Sequence, residues 1–153
     1  MSVEDNLKKL GLTLPNIPTP VANYVPWKRD GNTIYLSGQG PRVKDGKHIT
    51  GTVGRDVTVE QAYQYAQLVG LNLLAAAKAA AGGSLEKVEV LKVLGMVNAV
   101  PGFGDQPKVI NGCSDLFVNV LGERGRHARS AVGMGSLPIG IPVEIEAVMR
   151  VID

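Results

Sequence analysis

Apolar residues recur along this chain with two periods, and the switches between them lay out its elements. Over residues 143–152 the period is two. Val143, Ile145, Ala147, Met149 and Val151 fall on one side, and Glu144, Glu146, Val148, Arg150 and Ile152 on the other; this is the pattern of a strand with one buried face. Residues 88–97 are apolar on both sides, as in an interior strand. The β-branched and aromatic run 33–37 follows the turn signal Asp30-Gly31-Asn32 and predicts a hairpin whose other arm is 25–28. A further short strand is expected over 128–133. Helical spacing takes over at Val59, Ala62, Ala66, Val69, Leu73, Ala76, Ala77 and Ala80. Thr58 and Gln61 form a capping box before this helix, and Gly82-Gly83 stop it near Ala81. A second helix is expected over 108–121, with Val109, Ile110, Cys113, Phe117, Val118 and Leu121 inside and Gly122 at its end. Residues 2–10 read as a short helical turn capped by Ser2, with Asp5 in the first turn. Residues 12–26 hold prolines at 15, 18, 20 and 26, which predicts an extended, irregular surface segment. The glycines of Ser37-Gly38-Gln39-Gly40 allow a bulge or a close backbone approach.

The order strands, helix, strand, helix, strands predicts an α+β fold: one mixed β-sheet with two helices packed on one face. The other face carries Glu144 and Glu146, so an oligomer interface is its expected cover. The 153 residues fit one domain, with 1–20 an N-terminal extension and 21–153 the core. With one cysteine, Cys113, no intrachain disulfide forms; a reducing compartment is expected, and residues 1–9 lack the apolar core of a secretory signal. A cytoplasmic protein is the resulting expectation. There is no apolar run of about eighteen residues, so no membrane span is expected. A net charge of +2, two Phe and one Trp offer little to a nucleic acid.

The candidate chemistry sits near the end of the chain. Arg129 lies between small residues in Ala128-Arg129-Ser130, and Glu144 follows fifteen positions later inside the alternating strand. A guanidinium is seldom buried without a partner. Two readings stay open: the charges pair as structure, or they face a shared cavity and handle a ligand. Cys113 reads as a core thiol. Arg124, Arg126 and His127 read as a solvated basic turn. His48 and His127 are far apart in sequence, with no partner at metal spacing, so no metal site is expected.

Tyr35-Leu36-Ser37-Gly38-Gln39, the capped helix from Thr58, Asn111, Ala128-Arg129-Ser130 and Leu137-Pro138 leading to Val143-Glu144-Ile145-Glu146-Ala147 occur here in an order that resembles the YjgF/RidA family, also labelled endoribonuclease L-PSP. The resemblance implies a chorismate-mutase-like fold and a homotrimer with clefts between subunits. It also implies imine/enamine deaminase activity: hydrolysis of 2-aminoacrylate-type intermediates to 2-keto acids and ammonia, with no metal and no cofactor. By position it implies that Arg129 clamps the substrate carboxylate and Glu144 holds the attacking water, with Tyr24, Ser37, Gly38, Asn111 and Ser130 lining the cleft. Two other functions are kept beside this one: a non-catalytic protein that binds a carboxylate metabolite, and an endoribonuclease. Around the implied cleft the chain has its own features: Ala131 where many members carry Cys, the loop 101–107, and glycines at 133, 135 and 140.

Overall fold

A computed structural model describes residues 1–17 and 22–153; of the prolines read above, Pro18 and Pro20 lie outside the described residues. The elements run α1 (Val3–Leu10), β1 (Trp27–Asp30), β2 (Thr33–Gln39), α2 (Val59–Ala80), β3 (Val88–Asn98), α3 (Gln106–Leu121), β4 (Ala128–Met134) and β5 (Val143–Val151), with a short 3-10 turn over Gly122–Gly125. The five strands form one mixed sheet in the order β1-β2-β5-β3-β4. All neighbours are antiparallel except β3 and β4, which α3 connects in parallel. The expected α+β class, with α2 and α3 on one face, is what the chain adopts.

Local chemistry accounts for the boundaries. The Thr58 hydroxyl accepts from the Gln61 N–H at 3.1 Å while the Gln61 side chain accepts from the Thr58 N–H at 2.9 Å, so α2 starts where the capping box places it. Gly82 takes φ +84° just beyond its end. Helix α3 starts two residues earlier than its sequence predicts, because Pro107 sits in the first turn, where a missing N–H has no intrahelical partner to lose. The hairpin is also shifted. Asp30 pairs with Thr33, leaving Gly31-Asn32 as a two-residue loop, and the first arm becomes Trp27–Asp30 rather than 25–28.

The core lies between the sheet and the two long helices. Val143, Ile145, Ala147 and Met149 of β5 are buried there beside Val88, Val90 and Val93 of β3. Close backbone approach makes the layer thin. A Cβ on Gly112 of α3 would strike the Tyr63 carbonyl of α2, and one on Gly95 of β3 would lie 2.6 Å from the Ile110 side chain. Helix α1 is docked as well: Val3 and Leu7 are buried, and the Asn6 amide donates to the Val120 carbonyl at 2.9 Å. Among the described residues, no helix packs on the opposite sheet face. That face presents Tyr35, 51% exposed, and Val132, 37% exposed, with half-buried Leu94 and Val148 between them.

Candidate functional site

The residues singled out by sequence gather in two groups, not one. The first lies where β2 meets β5. The pairing of these strands shifts register between Leu36 and Gln39, so Ser37-Gly38 forms a bulge. The bulge brings the Gly38 backbone against Glu144: a Cβ on Gly38 would lie 2.9 Å from Glu144 Oε2. Only glycine leaves the carboxylate its present place. The Ser37 hydroxyl donates to the Val25 carbonyl at 2.6 Å, which ties the strand to the segment carrying Tyr24. Tyr24 itself is 52% exposed. Both Ser37 donors are thus engaged within the chain, the hydroxyl by the Val25 carbonyl and the N–H by the Pro26 carbonyl at 3.0 Å.

Glu144 is half-buried on the open sheet face, level with Met96 of β3. Its carboxyl is held above its ordinary value of 4.5, first by burial and then by the neighbouring Glu146 charge. Both effects favour the protonated form and move the group toward the range useful for proton transfer.

The second group lies at the β4 edge of the sheet. Arg129 of β4 is in register with Val93 of β3, whose side chain is buried under the helices. Arg129 therefore points to the helix side. Its Nη1 donates to the Ser114 hydroxyl of α3 at 3.0 Å, and its Nη2 makes a longer bond to the Pro107 carbonyl at 3.4 Å. Asn111 lies between these two contacts on the same stripe of α3, by helical spacing. Ser130, the next residue of β4, faces the open side in register with Leu94.

Arg129 and Glu144 thus stand on opposite faces of one sheet. By strand register they are three residues along and two strands across, about 14 Å apart at Cα. No ion pair joins them among the described residues, so the structural pair considered from sequence does not form within a chain.

Two residues near Arg129 were missed as site residues. Ser114 bonds both Arg129 and, at 2.9 Å, His127 Nε2. His127 is no part of a solvated turn: its ring meets Phe117 edge-on at 5.8 Å, and its Nδ1 bonds the Gly125 carbonyl at 2.6 Å. Burial, and after it the Arg129 charge, hold its pKa below the usual histidine value against the opposing pull of the Gly125 carbonyl. Arg124 likewise turns inward, donating to the Leu85 and Val88 carbonyls. The available signal was spacing: Pro107, Asn111 and Ser114 place polar groups one helical turn apart along the flank of α3 that meets β4. Cys113 lies fully buried beside them, and desolvation raises its thiol pKa well above the ordinary value.

Comparison with known proteins follows the same lines. The family described as "YjgF/chorismate mutase-like, putative endoribonuclease" matches residues 4–143. Protein TCP17 of Trypanosoma cruzi is 39% identical over 150 residues, covering 97% of this chain and 93% of that protein. A 2-iminobutanoate/2-iminopropanoate deaminase of Dermatophagoides farinae is 29% identical over 139 residues, covering 90% of this chain and 93% of its own. The crystal structure of the protein Atu1372 from Agrobacterium tumefaciens superposes with a TM-score of 0.88 at 49% identity, covering 98% of this chain and 92% of that one.

Proposed function

The chain belongs to the YjgF/chorismate mutase-like family, and on that footing we propose that it hydrolyses reactive 2-imino acids to 2-keto acids and ammonia, in clefts between copies of itself. The observation that carries the reading is the separation of Arg129 from Glu144. A carboxylate clamp and a proton-transfer carboxylate lie on opposite sheet faces, and the face with Glu144 carries no helix among the described residues and is partly apolar. A ring of identical subunits, each setting one edge against the next one's open face, would join the Arg129 group of one copy to the Glu144 group of its neighbour. A trimer is the ring that the family resemblance leads us to expect. The similarity to a 2-iminobutanoate/2-iminopropanoate deaminase supports the substrate class.

Each group has a matching task. A guanidinium binds a carboxylate through two parallel N–H bonds, and fixing the carboxylate fixes the adjacent C=N carbon. Glu144 takes a proton from water as its oxygen adds to that carbon. The same carboxyl returns that proton to nitrogen, giving a carbinolamine; it then carries the hydroxyl proton to nitrogen as well, the C–N bond breaks, ammonia leaves and the carbonyl forms. A carboxyl with a raised pKa suits both halves of this transfer. The Gly38 backbone lies against Glu144 and can hydrogen-bond the reacting groups. For RNA cleavage the chain is poorly equipped. Its net charge is +2, and both ring nitrogens of His127 are engaged by Gly125 and Ser114.

The test couples a threonine dehydratase, which releases 2-iminobutanoate, to the purified protein. Wild type is expected to accelerate keto-acid release, while Arg129→Ala and Glu144→Gln do not. Folded wild type that leaves the rate at that of the dehydratase alone refutes the activity; saturable 2-oxobutanoate binding in that case would make the protein a carboxylate binder.

A further inference from the structure

The hydrogen bonds behind Arg129 can run in one direction only. His127 Nδ1 lies 2.6 Å from the Gly125 carbonyl oxygen. A carbonyl only accepts, so Nδ1 carries the ring's hydrogen. In the neutral ring Nε2 is then bare and can only accept. Ser114 Oγ, 2.9 Å away, must give its single proton to it. That leaves the hydroxyl's lone pairs toward Arg129 Nη1 at 3.0 Å, and a guanidinium can only donate. Each member fixes the next, from the Gly125 carbonyl to the arginine.

We propose that His127 is a positioning residue for Arg129: by orienting the Ser114 hydroxyl it sets the plane in which the guanidinium meets a substrate carboxylate. The proposal rests on the assignment of Arg129 as the clamp. Without the imidazole acceptor, the Ser114 hydroxyl is free to turn back to the carbonyl one helical turn before it, as serines in helices do, and its lone pairs leave the arginine. The long Pro107 bond then holds the side chain alone. The ring's surroundings agree with a neutral imidazole. Of the charged groups around it, Arg126 pairs outward with Glu123 at 3.0 Å, Arg124 is turned to the Leu85 and Val88 carbonyls, and Asp115 accepts from the Tyr63 hydroxyl. Arg129 remains, and its charge opposes protonation. The Cys113 thiol beside it stays neutral.

A merely structural histidine and a positioning one give opposite orders in a matched pair of variants. His127→Phe preserves an aromatic edge against Phe117 but has no acceptor for Ser114. His127→Gln loses the ring but keeps a side-chain acceptor. The readout is 2-oxobutanoate affinity by titration calorimetry, with melting temperature measured alongside. The expected result is that His127→Phe and Ser114→Ala each weaken binding about tenfold, the scale of one hydrogen bond to a charged group. His127→Gln stays close to wild type although it melts lower than His127→Phe. In the Ser114→Ala background, His127→Phe adds little, because both act through one hydroxyl. Affinities that follow melting temperature, or effects that add in the double variant, overturn the proposal. Wild-type binding that Arg129→Ala abolishes and His127→Phe leaves intact also overturns it, while sparing the clamp. Wild-type protein that binds no 2-oxobutanoate overturns both.

Discussion

Replacing Gly38 by alanine tests the reading of Glu144 with little disturbance to the fold. Gly38 does not have a positive φ, so alanine fits its backbone. The new methyl carbon would stand 2.9 Å from Glu144 Oε2, 3.2 Å from Cδ and 3.3 Å from Cγ, whereas ordinary contacts begin at 3.4 Å. The carboxylate must therefore retreat by roughly half an ångström or turn aside. It is the end of a flexible side chain, so the fold gives way cheaply there. A half-buried carboxylate can move into the open side, and the lost backbone freedom of glycine in the unfolded chain works in alanine's favour. Stability should change by less than about 1 kcal/mol. Chemistry should suffer more, because a reacting group displaced by a fraction of an ångström to an ångström forfeits about 10- to 100-fold in rate. The assay is the dehydratase-coupled release of 2-oxobutanoate, with thermal melting on the same preparation. A Gly38→Ala protein that melts like wild type and turns over at the wild-type rate would refute the assignment of Glu144 to proton transfer.

Three further outcomes follow from the same geometry. Glu144 has a raised pKa in the folded protein, so its stabilising contribution is complete below 4.5 and is lost as pH rises through the folded value. Glu144→Gln should therefore melt higher than wild type at pH 7, with the gap closing below pH 4.5; a constant gap across that window would contradict the cause given for the shift. Gly112→Ala drives a methyl group into the Tyr63 carbonyl, so α2 and α3 must part; a loss of about 3 kcal/mol in urea unfolding is expected, and an unchanged midpoint would show that the helices can yield. Cys113 is fully buried with its thiol pKa raised, so iodoacetamide should modify it only at the rate of global unfolding; fast labelling of native protein would place it at the surface.

Much of the fold was legible because local chemistry and tertiary structure agree. Thr58 and Gln61 announce the start of α2, and the strict alternation from Val143 to Val151 announces β5 with its buried face. Arg129 and Glu144 were legible as residues out of keeping with their neighbours. Their relation was not. Strand β4 is built from Ala128, Ser130, Ala131, Val132 and Gly133, side chains too small or too mixed to declare a buried face, so only pairing with β3 shows that Arg129 turns toward α3. Register with Met96 likewise sends Glu144 to the other side. His127 was misread because its sequence neighbours are Arg124 and Arg126; the 3-10 turn folds the ring and the Arg124 head inward, and nothing local encodes that. Pro107 marks a loop in sequence and a first helical turn in the structure, since proline serves both.

The central claim is that one site takes Arg129 from one copy and Glu144 from another. Subunit mixing tests it most directly. Arg129→Ala and Glu144→Gln proteins, each inactive alone, are co-expressed or unfolded and refolded together, and the coupled dehydratase assay is run on the purified mixture. In a cyclic assembly of randomly mixed equal parts, about one junction in four brings an intact Arg129 to an intact Glu144, so recovery to about a quarter of wild-type activity is the expected result. A mixture that assembles fully and remains inactive would contradict the account.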